Sequence, residues 1–376
     1  MKLAVTVLAF CVAALLATGL VMLYSSSMDE VGARYLIQQA IWCGLGLVCC
    51  LVAAAVDYRH LKKVVWLLYG LAAILLAAVF IPHIGHASHG ARRWIGMHGT
   101  QNIQPSELAK IVLIIAVAWY GDRYQRHLPT WRKGILIPAL FVGFILGLIF
   151  IEPDRGTTLL LAAVCGFMLF VAGVRVSYVL PVLLVAGLAM FFSLRHDSMR
   201  SGRIHAWLHP EETKLDQGHQ TYEAIIAFGA GGWRGVGLGD SRQKLGFVPE
   251  DHTDFILPII GEELGLVATL AVASSFLCIG ICGLWIARHA KDTFGLLMAT
   301  GITMLIGLQA AINIGVVTGA LPNKGLPLPF ISYGGSNLVA LLTGVGLLFS
   351  IARFSLEPAT EEAKSAAGGQ PVLQLT

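Results

Sequence analysis

Apolar runs close to 20 residues long recur along nearly all of this 376-residue chain, and that recurrence limits what it can fold into. A helix of about 20 residues crosses roughly 30 Å of hydrocarbon. In lipid, every backbone donor and acceptor must be satisfied within a helix or a closed barrel. The runs lack the roughly ten-residue apolar-polar alternation that a barrel requires, so helices are predicted. The spans are Leu3 to Leu23, Ile37 to Val56, Val64 to Ile81, Ser106 to Tyr120, Gly134 to Ile151, Thr157 to Gly173, Val176 to Leu194, Phe255 to Ile286, Phe294 to Val317 and Ser336 to Ala352. The expected fold is all-α, a polytopic membrane protein of about ten transmembrane helices. A long extracytoplasmic loop, residues 195–254, separates helices 7 and 8. Charged residues make up 13% of the chain, against about 25% in soluble proteins, which excludes an ordinary soluble globule. The first run is longer than a signal peptide's apolar region and has no small-x-small cleavage site before Tyr24, so it reads as a span.

Lys and Arg accumulate in alternate connections. One side carries Lys2, then Arg59, Lys62 and Lys63, then Arg123, Arg126, Arg132 and Lys133, then Arg175, Arg288, Lys291, Arg353 and Lys364. The short connections opposite hold only Arg34, Arg92, Arg93, Arg155 and Lys324. The basic side is cytoplasmic by the positive-inside bias, which puts both termini inside the cell. The net charge of +4 arises mostly from this asymmetry, so nucleic acid is not an expected partner. All seven cysteines fall within predicted spans, which leaves the outer loops without a disulfide framework. His83, His86 and His89, with His98 nearby, lack the acidic partner and helical context that a metal site would need. Residues 357–376 have too little apolar surface to pack and read as a disordered cytoplasmic tail.

A charge at helix-centre depth costs roughly 2.5–3.5 kcal/mol, so polar clusters beside the spans need a reason. Gln104-Pro105-Ser106-Glu107 opens the fourth span, with Lys110 one turn later. That spacing lets Glu107 and Lys110 form a local ion pair. Glu152-Pro153-Asp154-Arg155-Gly156 joins spans five and six, where a merely solvated acidic turn is the simpler reading. Asp254 precedes the eighth span, with Gly261-Glu262-Glu263-Leu264-Gly265 inside it. Asp254 fits an ordinary N-cap, and Pro258 is tolerated only near a helix start. A fourth cluster holds Asn313, Lys324-Gly325-Leu326-Pro327 and Ser332-Tyr333-Gly334-Gly335-Ser336-Asn337. Its prolines and glycines interrupt the helical pattern, which at this depth requires surrounding protein or a wet cavity. All four clusters lie on the outer side and can converge. The glycine string Gly235, Gly237 and Gly239 lacks the context of a nucleotide fingerprint and reads as a mobile lip beside a site.

Gly90-Ala91-Arg92-Arg93-Trp94-Ile95, Gln104 to Lys110, Glu152-Pro153-Asp154, His252-Thr253-Asp254-Phe255 and Ser332 to Ser336 closely resemble the SEDS family (shape, elongation, division and sporulation). The resemblance covers residues 1–356 as one transmembrane domain. Gly237 to Lys244, Gly261 to Gly265 and Lys324-Gly325-Leu326 resemble the division branch more than the elongation branch. Arg155, Asn337 and Pro258 depart from the family pattern.

The resemblance implies a peptidoglycan glycosyltransferase of the bacterial inner membrane that polymerises lipid II, the undecaprenyl-pyrophosphate-linked disaccharide pentapeptide, during septal wall synthesis. Its implied partners are a class B penicillin-binding protein and other divisome proteins. Such chemistry needs a general base for the acceptor hydroxyl, and the resemblance gives that role to Asp254. The departing diphosphate needs positive charge, for which Arg92, Arg93, Lys110 and Lys324 are the candidates. Glu107 would hold Lys110, Trp94 would pack at the lipid or sugar boundary, and Ser332 completes the predicted substrate-binding set. A divalent cation, Mg or Mn, is a further expectation without an assigned ligand set. An elongation-type polymerase, a lipid II flippase and a divisome scaffold are the rival readings, the flippase because charged, broken helices also mark transporters.

Overall fold

The computed structural model describes residues 1–88, 91–96, 103–178, 181, 184, 187, 198–209, 212–213, 218–244 and 253–356. In chain order the principal elements are α1 (Lys2–Val31), α2 (Arg34–Ala55), α3 (Leu61–Ala78), β1 (Gly85–Ser88), β2 (Ala91–Ile95), α4 (Pro105–Tyr124), α5 (Ile137–Ile151) and α6 (Arg155–Ala172). There follow α7 (Ser198–Leu208), α8 (His219–Gly231), α9 (Ile256–Arg288), α10 (Thr293–Val317) and α11 (Gly335–Leu356). Nine of the ten predicted spans coincide with these helices. The seventh, Val176 to Leu194, lies almost wholly outside the described residues, as does the tail 357–376.

Among the described residues, eight helices are long and apolar enough to cross a membrane. α4 also runs through the bundle but carries Glu107, Lys110, Asp122 and Arg123. It tolerates them because it is a central helix, packed against α3, α6 and α10. α10 and α11 are inner helices too, with 67% of their apolar windows buried, against 17% for the α3 segment. The large residues left uncovered on α2 and α3, including Ile37, Ile41, Leu51, Leu67 and Ile74, form the face that the bilayer would cover.

Local chemistry sets the helix boundaries. Asp154 caps α6, its Oδ1 accepting from the Thr157 N–H at 3.1 Å. Asp292 caps α10 through the Gly295 N–H at 2.9 Å. Asp292 also receives Lys62 at 3.0 Å and the Tyr58 hydroxyl at 2.8 Å, while Lys62 reaches Asp122 at 2.9 Å. These bonds tie α3, α4 and α10 together at one end of the bundle. Burial alone would raise the Asp292 carboxyl, but the Gly295 N–H, Lys62 and Tyr58 outweigh it and hold it below its ordinary range.

α9 is broken. Gly265 stands at φ 79 and ψ −175, a conformation that only glycine adopts readily. The loop after α8 fills the break: Val236 N–H donates to Glu262 O at 2.9 Å, Gly237 N–H to Glu263 O at 3.1 Å, and Leu266 N–H to Gly232 O at 2.9 Å. Gly235 and Gly237 are therefore bonded into a helix gap and do not form the mobile lip expected from their spacing. β1 and β2 make a short antiparallel hairpin with His86 opposite Trp94, a feature absent from the all-α expectation.

Candidate active site

The end of the bundle opposite the Lys62 cluster gathers the polar clusters singled out in the sequence. Asp254 sits in the turn Thr253–Phe255 before α9, half-buried. The N-cap of α9 is Phe255, without a side-chain capping bond, so Asp254 does not serve as the cap. Pro258 falls in the first helical turn, where its missing N–H leaves no intrahelical bond unmade. The irregular segment between α10 and α11 wraps over this turn. A Cβ at Gly325 would stand 2.6 Å from Asp254 Oδ2, so only glycine gives the carboxylate its present space.

Two amides from α10 support this segment from below. Asn313 Nδ2 donates to the carbonyls of Asp254 and Leu326, both at 2.8 Å. Gln309 Nε2 donates to Pro327 O at 2.9 Å, and its Oε1 accepts from Lys110 Nζ at 3.3 Å. Lys110 pairs with Glu107 Oε2 at 2.6 Å, with both side chains almost fully buried. Gln309 was not anticipated, although a second amide one turn before Asn313 in an apolar helix was a legible signal. Ser332 acts on backbone: its Oγ donates to Thr253 O at 2.5 Å and accepts from Leu328 N–H at 2.8 Å.

A second arm joins the same end. Gln104 donates from Nε2 to Asp154 Oδ2 at 3.3 Å, and its backbone N–H meets Ser336 Oγ at 3.2 Å. Arg93 on β2 donates from Nε to Glu152 O at 3.2 Å and from Nη2 to Pro153 O at 2.7 Å. Arg92 is exposed and Trp94 half-buried. The acidic turn is not a solvated connection, since Glu152 is 0% and Asp154 5% exposed. Burial, with the Asp154 charge adding to it and Arg93 opposing it, pushes the Glu152 carboxyl up to about 8. Burial lowers the half-buried Lys324 ammonium, and Asp154 works against that shift.

Three of the four clusters therefore converge with Asp254, but Glu262 and Glu263 turn elsewhere. Glu262 receives the Ser241 hydroxyl and the Arg242 N–H, the latter at 3.1 Å. Glu263 receives Ser25 Oγ at 2.7 Å and lies 3.6 Å from Lys244 Nζ. These buried carboxylates anchor the glycine loop against α1 and α9. Among the described residues no three His, Cys, Asp or Glu side chains are grouped to hold a metal. Of the histidines considered, His89 and His98 lie outside the described residues.

The arrangement offers a half-buried carboxylate on a supported turn, with cations on neighbouring connections. That is what abstraction of a proton beside an anionic leaving group requires. Comparison with known proteins places the chain by its fold and sequence. The chain is 41% identical over 345 residues to the probable peptidoglycan glycosyltransferase FtsW of Geobacter metallireducens, covering 90% of this chain and 92% of that protein. It is 42% identical over 353 residues to the protein of the same name from Marinobacter nauticus, covering 92% and 87%. Among solved structures, it superposes on a chain of a peptidoglycan synthase complex that coordinates polymerization and crosslinking, with TM-score 0.77, 27% identity and coverage of 93% and 98%. The rod shape determining protein RodA of Thermus thermophilus gives TM-score 0.69 at 28% identity, with coverage of 93% and 97%. With residues 5–357 also matching the family model described as cell cycle protein, FtsW, RodA and SpoVE, this chain belongs to that family of multi-pass membrane proteins.

Proposed function

We propose that this protein polymerises lipid II into glycan strands on the outer face of the cytoplasmic membrane, as the division-type member of its family. The observation that carries this reading is Asp254 itself, a half-buried carboxylate outside any helix cap, held by Asn313 through its backbone and given room by Gly325. The acceptor's 4-hydroxyl oxygen attacks the anomeric carbon of the lipid-linked donor. The hydroxyl proton passes to the Asp254 carboxylate, the anomeric C–O bond breaks, and undecaprenyl diphosphate leaves with the bonding electrons. Arg92, Arg93 and Lys324 supply the positive charge that the diphosphate needs, and the lowered ammonium of Lys324 marks a desolvated cation suited to it. Lys110 acts from beneath, through Gln309 and the Pro327 carbonyl.

The chain works with a class B penicillin-binding protein, supported by its likeness to a subunit of a synthase complex that couples polymerization to crosslinking. Labelled lipid II incubated with the full chain, titrated with that partner, should give glycan strands whose yield rises to saturation. Failure to polymerise at any partner ratio, together with movement of lipid II between leaflets of proteoliposomes, would replace this reading with the flippase. Depletion should produce filaments with blocked septa, whereas rounded cells that still divide would assign the elongation role.

Both termini are cytoplasmic in this reading, which rests on the alternation of basic clusters. In a cysteine-free background, Arg203→Cys on α7 should react with an impermeant maleimide in intact spheroplasts. His289→Cys should react only after the membrane is opened. The reverse pattern would invert the topology.

A further inference from the structure

Glu152 is a buried acid at this end of the bundle whose chemistry is left unexplained. It is 0% exposed, and among the described residues neither carboxyl oxygen has a hydrogen-bond partner. A buried polar group in this condition is costly and calls for an account. The charged groups around it are Arg93 from β2, Asp154 beside it in the turn, and Arg155 at the start of α6. Glu107 from α4 and Lys324 from the connection before α11 interact with Asp154. Arg93, the nearest cation by bonding, gives Nε and Nη2 to the carbonyls of Glu152 and Pro153 and not to the Glu152 carboxyl. Asp154 is occupied by Thr157 and Gln104.

We propose that Glu152 is a positioning residue that works as the neutral acid. Protonated, it leaves Arg93 on the two backbone carbonyls with the rest of the guanidinium presented to the diphosphate. Ionised, it captures Arg93 and withdraws that charge from the site. The inference rests on the polymerase reading and deepens it. Its physical basis is that a carboxylate is a much stronger acceptor for a guanidinium than an amide carbonyl, whereas a neutral carboxyl is not. The fold keeps the acid neutral at ordinary pH, since its titration is displaced up to about 8. The sign follows from linkage. A carboxyl raised in the folded state binds more protons than in the unfolded chain, so its contribution to stability is fully present below the ordinary carboxylate range and is lost as pH rises to about 8. Glu152→Gln removes that titration while keeping a neutral side chain of nearly the same shape, so the variant should melt no lower than the wild type above neutral pH.

The test compares full-length wild type and Glu152→Gln, each with the penicillin-binding partner, in lipid II polymerisation from about pH 6 to about pH 9.5. For one group titrating near 8, the wild-type rate should fall roughly tenfold between about pH 7 and about pH 9. In Glu152→Gln the ratio of the two rates should stay within about twofold of unity, whatever the absolute rate. Infrared difference spectra should show a carboxylic-acid C=O band at neutral pH in the wild type that is missing from the variant. The same alkaline fall in Glu152→Gln, a well-folded variant with no activity, or the lack of that band in the wild type would each overturn the proposal. Wild type that shows the band yet never polymerises would instead overturn the polymerase reading.

Discussion

Asp254→Asn should reduce lipid II polymerisation by at least about 10²-fold, the usual size of a lost general base, on the order of 3 kcal/mol in the barrier. The amide keeps the shape of the carboxylate but cannot take the acceptor hydroxyl's proton. Folding should survive, because Asn313 grips the Asp254 carbonyl and Ser332 that of Thr253, and the substitution leaves both bonds in place. The α9 cap is not at stake either, since Phe255 occupies that position. Gly325→Ala offers a second approach to the same atom. Its methyl would stand 2.6 Å from Oδ2, so the carboxylate must move, and activity should drop while Asp254 remains present. Glycan strands separated on a gel report both variants, with partner copurification as the check on folding. Near-normal strand synthesis by well-folded Asp254→Asn would end the assignment of this residue as the base.

Lys110→Met should lower stability by about 3–5 kcal/mol, the range observed when one member of a buried ion pair is removed. Lys110 is 1% exposed and Glu107 4%, so the carboxylate left behind would have no water to turn to. Gln309 would lose the ammonium as well, although its bond to Pro327 remains. The paired variant Glu107→Gln with Lys110→Met should recover most of the loss, because the uncompensated charge is then gone. Unfolding in detergent, followed by tryptophan fluorescence, measures both. A Lys110→Met chain as stable as the wild type but without activity would show that the ammonium serves substrate directly, as its place among the predicted diphosphate cations allowed.

The membrane spans could be read from sequence because lipid imposes a length and a satisfaction rule on each segment by itself. Nine predicted spans needed no knowledge of their neighbours to coincide with described helices. The outer polar clusters were legible for the same reason, since Glu107, Lys110, Asp154 and Asp254 each carry a cost that a single segment already reveals. What each cluster does was not legible, because partner choice depends on which helix lies opposite. Gly261 to Gly265 sat in the same outer group as Asp254, yet Glu262 and Glu263 bond to Ser241 in the loop after α8 and to Ser25 on the neighbouring α1. Gly235 and Gly237 read as loose chain until Gly265 opened a gap in α9 for them to fill.

The sequence by itself thus determined the helical class, the spans and the residues too polar to be idle, through local constraints of hydropathy, charge and turn chemistry. Only the tertiary structure decided that Gln309 and Asn313 carry the Asp254 turn, that Gln309 reaches Lys110, and that Glu152 is sealed away from water. Those outcomes depend on distance and desolvation between segments far apart in the chain, which no single segment encodes.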